Sequence, residues 1–286
     1  MSVHYDLHSH SRASDGTLSP AELVTAAHAG GVNVLALTDH DTTDGLAEAA
    51  RVAHSLGMQL VPGVEISVSW QSQTIHVLGL GVDPACQLLQ DGLSGLREFR
   101  NWRAREIGRR LAKAGIPDCY DGACSQAQGS IVGRTHFAHH LVATGHAKSV
   151  RDVFKHFLVN RKPGYVNGKW AGLEDALRWI ETAGGLAVVA HPARYGMTAS
   201  KLRRFLGEFR ECGGTGMEVI SGSHSRDNVT TMAALCRNQD MLASCGSDFN
   251  GPDNPWIRLG QLPALPAGCR PVWESDRWPT GPTELQ

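Results

Sequence analysis

No apolar run in the chain approaches the ~18 residues of a membrane-spanning helix, so no transmembrane segment is expected. The opening stretch, MSVHYDLHSHSRASDG, lacks the basic flank and apolar middle of a secretory leader. Cys-x-x-Cys pairs are missing too. Seven cysteines, an odd number, read as reduced thiols in a cytoplasmic protein. Net charge is almost absent: 27 Lys and Arg against 28 Asp and Glu leave −1, which argues against a general nucleic-acid coat or a membrane-surface binder but permits a local basic patch. Internal repeats and low-complexity segments are also lacking. What remains is a chain of 286 residues, 42% hydrophobic, able to bury a core as one large domain or as one with a smaller companion. Histidine is plentiful at 14, and several lie close to Asp or Glu.

The first third alternates short apolar runs with helical patterns. Ser19-Pro20-Ala21-Glu22 is a capping box with proline at the first helical position, and Gly30-Gly31 stops that helix. Strands follow at 32–37, 59–61, 64–70 and 74–80, the last two as a hairpin, with a helix from Asp44 to Gly57. After Gly172 the rhythm resumes with helices at 173–183, 199–212 and 226–238 and strands at 186–190, 217–220 and 242–245. Such alternation predicts a parallel α/β architecture, barrel or doubly wound. Between about Pro84 and Lys169 the pattern is helical, with segments at 88–114, 135–144 and 150–158. The expected division is a barrel from 1–95 and 170–286, with a helical insertion over 96–169 capping the active site. Five prolines in the last 26 residues suggest a tail wrapped on the surface.

Chemistry-bearing residues gather at the ends and edges of these strands. His8 and His10 close the first strand, on one side of it because strand side chains alternate. Asp15 follows in a small-residue loop. The next strand runs into His40, flanked by Asp39 and Asp41; later strands carry Glu65 and His76; His191 and Asp248 each follow a strand directly. The C-terminal strand ends of α/β folds converge on one site. That would unite five histidines (His8, His10, His40, His76 and His191) with Asp15, Glu65 and Asp248, enough for two or three divalent ions. Without thiolate in the set, Mn²⁺ is the first expectation, with Fe, Zn or Mg also suited.

The stretches HSHSRASDG, ALTDHDTTDGL, PGVEIS, HVLG, VVAHP and GSDFN, in this order, resemble the motifs of the PHP (polymerase and histidinol phosphatase) superfamily. VGRTHFAHHLV, HPARY and PWIRLG narrow the likeness to its YciV/TrpH-type members. The resemblance spans almost the whole chain. It implies a distorted (β/α)7 TIM-like barrel with a mostly helical inserted domain, a two- or three-metal site at the barrel's C-terminal face, and phosphoester hydrolysis. Such members remove the 3′-phosphate from nucleoside 3′,5′-bisphosphates such as 3′-phosphoadenosine 5′-phosphate, and some trim short RNA from the 5′ end. Carried onto this chain, His8, His10, Glu65 and Asp248 would hold one ion. Glu65 would bridge to a second, held by His76 and His191, and Asp15 and His40 would hold a third. The family's Asp-x-His is here Asp248-Phe249-Asn250, and an amide oxygen is the weaker ligand, so the third ion is expected to be weakly held. Glu65, His191 and Asp248 are the expected catalytic residues, the last two as candidate proton donors to the leaving 3′-oxygen.

A phosphate-binding wall is also legible. Residues 97–113 hold seven Lys and Arg against Glu98 and Glu106. Arg103 falls on the apolar stripe of that helix with Asn101 nearby, and Arg134 and Thr135 open another helix, whose first amides favour anions. Arg103, Arg134, Asn101 and Thr135 are therefore the expected substrate contacts, with Lys169 and Arg194 behind them. Trp102, Phe137, Tyr165 and Trp170 are candidates to stack on a base. The reading is a phosphatase for a small nucleotide, without membrane or obligatory protein partner. A 5′-to-3′ exonuclease on short RNA or DNA and a histidinol-phosphate-type phosphatase use the same chemistry. A non-catalytic metal module would require loss of several ligands, and only Asn250 departs.

Overall fold

The computed structural model describes residues 3–127, 129, 131–254 and 256–279. Seven strands form one path: β1 (Tyr5–Asp6), β2 (Val34–Leu37), β3 (Gln59–Trp70), β4 (Gln73–Leu80), β6 (Leu186–Val189), β7 (Gly216–Ser221) and β8 (Leu242–Gly246). A two-residue strand, β5 (Ala171–Gly172), adds to β3 off this path. The last strand returns to the first: Leu7 N–H donates to Cys245 O at 3.0 Å and Asp248 N–H to His8 O at 2.9 Å. The result is a nearly closed barrel, distorted because β4 runs antiparallel to both β3 and β6. Helices α1 (Pro20–Ala29), α2 (Leu46–Ser55), α7 (Leu173–Thr182), α8 (Ala199–Glu211) and α9 (Arg226–Asn238) line its outside. The α1 capping box is formed as expected, Ser19 accepting from the amide of Glu22.

The expected strands at 59–61 and 64–70 are one strand. Pro62-Gly63 looks like a break, but β3 changes neighbours there. Gln59–Pro62 pairs with β2, and Gly63–Trp70 pairs with β4. Gly63 suits the crossing, since a Cβ would stand 2.8 Å from Thr38 Cγ2.

Helix α3 (Gln87–Lys113) belongs to two cores at once. Leu89, Leu93 and Leu96 pack into the barrel cluster, while Ala104, Ile107 and Leu111 pack with Phe137, Leu141, Val153 and Leu158. That second cluster also joins α4 (Cys119–Gln126), α5 (Arg134–Ala143) and α6 (Val150–Val153). The sequence pattern did not announce α4: Asp118 enters it in a left-handed conformation, and its Gly122 lies against the His140 ring. The expected helix over 150–158 is α-helical only to Val153 and continues as a π-helical turn, Phe154–Leu158. The seven cysteines form no disulfide. No helix among the described residues is long and apolar enough to cross a membrane. Of the proline-rich tail, 280–286 lies outside the described residues, as do Ser130 in the segment before α5 and Pro255 of the PWIRLG stretch.

Candidate metal centre

The first strand is shorter than expected, so His8 and His10 lie just past it, held by the pairing of Ser9 with Phe249. Their rings still share one side, with Nε2 atoms 3.1 Å apart. His40 follows β2 and pairs by backbone with Glu65 on β3; His76 lies on β4; His191 follows β6; Asp248 follows β8. Neighbouring imidazole rings in the order His8, His10, His40, His76, His191 and back to His8 stand 4.7 to 5.7 Å apart, centroid to centroid.

The fully buried Glu65 carboxylate sits within this ring. Its Oε1 lies 2.8 Å from His76 Nδ1 and 3.1 Å from His191 Nε2. Its Oε2 lies 2.8 Å from His40 Nδ1, 3.3 Å from His10 Nε2 and 3.4 Å from His8 Nε2. Asp248 Oδ1 is 3.3 Å from His10 Nε2 and 3.5 Å from His8 Nε2. Its other oxygen accepts from Arg194 at 2.5 Å. Asp15 is the outlying member, its Oδ1 4.0 Å from His40 Nε2.

Two of these residues hold left-handed backbone, His191 at φ 30° and Asp248 at φ 56°. Such conformations cost of order 1–3 kcal/mol for non-glycine residues and persist where surroundings enforce them. Here both follow a strand directly, where the left-handed turn redirects the chain at the barrel rim.

Glu218 was not anticipated. It lies in β7, fully buried in a strand of otherwise apolar and small residues, and such a carboxylate is itself a signal in the sequence. Its Oε1 is 2.9 Å from His8 Nδ1, and its Oε2 accepts from the backbone N–H of His191 at 2.5 Å. A proton on His8 Nδ1 shared with this carboxylate leaves the Nε2 lone pair facing the centre, as metal-ligating histidines require.

The charge balance follows from this crowding. Burial works against a charged His8, but Glu218, Glu65 and Asp248 outweigh it and raise its pKa well above 6.5. For His40 burial is likewise overcome by Glu65 and Asp15, raising it to about 9. His76 goes the other way, lowered by burial to about 4. Glu65, despite burial, is held well below the usual carboxylate range by His40, His76 and His8. Asp248 is lowered too, His8 and the hydrogen bond from His10 overcoming its burial.

The donor set fits divalent cations. Three overlapping groups, His8–Glu65–His191, His8–His10–Asp248 and His10–His40–Glu65, each bring their ligand atoms within 4.8 Å of one another. Buried Glu65 Oε2, Asp15 Oδ1 and His40 Nδ1 make no well-aligned hydrogen bond among the described residues, the first and last meeting only as an ion pair at 2.8 Å. Oxygen and imidazole donors left unsatisfied around one point are what a hard or borderline cation completes. Asn250 turns into its own loop, its Nδ2 donating to Asp248 O at 3.0 Å.

Beside this cluster lies a cavity of about 370 Å³, lined by Asp15, His40 and His76 together with Arg100, Arg103, Arg134 and Arg194. Arg134 lies over the Phe154 ring at 5.5 Å, and Arg103 over Trp170 at 5.3 Å with its Nε on Val166 O at 3.1 Å. Burial and the neighbouring Arg134 and Arg100 lower Arg103 to about 9. Burial lowers Arg134 as well, with Arg100 adding to it. Among the described residues neither guanidinium has a carboxylate within 4 Å, unlike Arg100, whose Nε donates to Asp41 at 2.6 Å.

Some expected contacts line the cavity and others do not. Asn101 does not line it, because one residue along a helix turns ~100°; Arg100 and Arg103, three apart, share the lining face. Thr135 does line it and gives its hydroxyl to Asp15 Oδ2 at 3.1 Å, which ties α5 to the cluster. Asp39 and Asp41, the chain neighbours of His40, bind other groups. Asp39 accepts from Ser11 and Ser14, and Asp41 from Ser67 and Arg100. Lys169 is absent from the lining, Trp102 faces solvent, and Phe137 is core. Tyr165 and Trp170 do line the cavity.

The PHP domain family matches residues 6–162. A curated 3′,5′-nucleoside bisphosphate phosphatase of Chromobacterium violaceum is 48% identical over 94% of each chain. A 5′-3′ exoribonuclease of Escherichia coli, Rnm, is 45% identical over 99% of this chain and 97% of its own. A solved metal-dependent phosphoesterase of Bifidobacterium adolescentis superposes with a TM-score of 0.82 at 26% identity, covering 92% of both chains.

Proposed function

This chain belongs to the PHP domain family and is a phosphoester hydrolase, and on that footing we propose that it removes the 3′-phosphate of nucleoside 3′,5′-bisphosphates, releasing a nucleoside 5′-monophosphate and phosphate. One observation carries this reading: the cavity lining joins Asp15, His40 and His76 of the histidine–carboxylate cluster to the buried Arg103 and the half-buried Arg134, neither of which has a carboxylate within 4 Å among the described residues. A molecule with two phosphates matches both. One phosphate lies on the ligand side for cleavage, and the other pairs with Arg134 and Arg103. Arginine is the apt residue there, since its planar fork matches phosphate oxygens. Tyr165 and Trp170 give the nucleoside between them an aromatic wall. The 48%-identical phosphatase acts, by its name, on this class of substrate.

His8, His10, Glu65 and Asp248 would hold one divalent ion, Glu65, His76 and His191 a second, and Asp15 with His40 a third; Mn²⁺ suits the set best. Bound there, such ions supply Lewis-acid polarisation of the phosphoryl group and ionisation of water near neutral pH. The protein's own groups do the rest. Glu218 fixes the His8 ring and the His191 backbone, and Arg194 neutralises the outer oxygen of Asp248. His8 and His10 hold the Asp248 carboxyl below the usual carboxylate range despite its burial, the form in which it would ligate a cation. The arginine wall holds the nucleotide in one register, which converts binding into alignment of the bond to be broken.

The exoribonuclease relatives favour a second reading on the same site. A 5′-phosphorylated oligonucleotide is identical to a bisphosphate as far as the first 3′-phosphorus. The deciding experiment measures kcat/KM, with Mn²⁺ supplied, for a 3′,5′-bisphosphate, the matching 3′-monophosphate and a short 5′-phosphorylated RNA. The bisphosphate should exceed the 3′-monophosphate by roughly 10- to 150-fold, one charge-assisted contact's worth. Equal rates for the two would refute the two-phosphate grip.

A further inference from the structure

The loop after Asp248 displays Trp256 with 89% of its surface exposed. Local hydrogen bonds hold its backbone. Trp256 N–H donates to Asn254 Oδ1 at 3.2 Å and Ile257 N–H to Asn254 O at 3.2 Å. Beyond it, Ile257 and Leu259 pack on the cluster between α1 and α2. Gly260, at φ 76°, lies so close to Gly30 that a Cβ would stand 1.9 Å from its carbonyl oxygen. A large aromatic held in water by an anchored loop is a surface built for stacking.

Trp256 borders a cleft of about 180 Å³ that also includes Ser221, Gly222, His224 and Ser247. These residues end or follow β7 and β8, the strands that bring Glu218 and Asp248 to the centre. His224 shares its Nδ1 with Val219 O at 3.1 Å, and its Nε2 is buried without a partner. The arginine cavity is lined from β3, β4 and the helical segment 100–170, with Asp15, His40 and Arg194; this cleft is lined from the ends of β7 and β8, where Ser247 in its wall is the chain neighbour of Asp248.

We propose that this cleft is the subsite for the nucleoside beyond the scissile phosphorus of a single-stranded oligonucleotide, with its base stacked on Trp256. The inference rests on the phosphoester reading above. In both substrates water oxygen bonds to phosphorus, the bond from phosphorus to the 3′-oxygen breaks, and that oxygen takes a proton. A bisphosphate then gives free phosphate, and an oligonucleotide gives a strand one nucleotide shorter with a 5′-phosphate. Only the second substrate carries a nucleoside on the far side of that phosphorus, and this cleft receives it.

The test compares a 5′-phosphorylated diribonucleotide with its matching 3′,5′-bisphosphate on the Mn²⁺-loaded full chain. Trp256→Ala should lower kcat/KM for the dinucleotide by roughly 5- to 150-fold, the usual worth of one base–aromatic stack. Trp256→Phe should recover much of it, and the bisphosphate has nothing to lose. The inference is overturned if Trp256→Ala leaves the dinucleotide unaffected, if both substrates slow equally, or if the parent protein does not cleave the dinucleotide. A parent that cleaves the dinucleotide through Trp256 but ignores the bisphosphate would refute the bisphosphate reading and leave this one standing.

Discussion

The floor and the roof of the central cavity are built on opposite plans. On the floor, every imidazole of the ring leans on a carboxylate, and the carboxylates are fixed by further contacts, as Asp248 is by Arg194. On the roof, Arg134 and Arg103 rest on aromatic faces and carry their charge without an acidic partner. A floor of paired imidazoles and carboxylates that still leaves buried donor atoms without a hydrogen bond suits cations, whereas a roof of guanidinium groups without a carboxylate suits an anion. On the proposed function, selectivity for the phosphate to be cut and for the phosphate to be gripped would be divided between the barrel and the helical segment over it.

Glu65→Ala attacks the floor where it is most shared and should have the largest effect. Metal content and turnover should both collapse, turnover by at least ~10²-fold, while circular dichroism stays that of the parent. Near-normal metal by bulk analysis would dissolve the distinction between floor and roof.

Glu218→Ala comes next, because it touches ligands without being among the proposed ones. Loss of such outer partners typically weakens metal binding by about 10–100-fold. Chelator competition should show that loss, and Glu218→Gln, which can still accept from His8 but not from both partners, should fall between. Metal binding equal to the parent's in both variants would mean that the His8 ring needs no fixing.

The roof is broken by Arg134→Ala, expected to lower kcat/KM for a bisphosphate by about 10- to 150-fold and to spare the 3′-monophosphate. If both substrates slow alike, Arg134 serves the floor and the division fails.

The smallest effect concerns the barrel beneath the floor. Burial raises the Asp6 carboxyl to about 7, and its Oδ2 has no partner. The folded state therefore keeps a proton that the unfolded chain has lost, so this group subtracts stability as pH rises from the carboxylate range through 7. Asp6→Asn should gain on the parent by up to about 1.4 kcal/mol per pH unit across that window. Thermal melts at several pH values would show it, and parallel curves would not.

How much was legible in advance follows the same line. His8, His10, His40, His191 and Asp248 were readable because strand ends converge in any α/β barrel, so position in the pattern implied position in space. Glu218 was hidden by lying inside a strand where apolar residues dominate, and only its partners reveal its purpose. The roof resisted because helix rotation decides it. Arg100 and Asn101 are neighbours in sequence, yet one lines the cavity and the other turns away. Pro62-Gly63 misled because local chemistry suggests a stop, while the sheet uses the pair to change partners.

The hydrogen bond from Thr135 to Asp15 joins the first turn of α5 to the edge of the cluster. Arg134 is its neighbour in the chain, so on the proposed function an anion held by that turn and a cation held by Asp15 would share one mechanical link. Free-energy coupling of this kind is reciprocal. By whatever factor the gripped phosphate tightened the cation at Asp15, that cation would tighten the phosphate equally. The proposed third metal position would then report whether a nucleotide is in place, and apparent metal affinity would become a property of the substrate as well as of the protein.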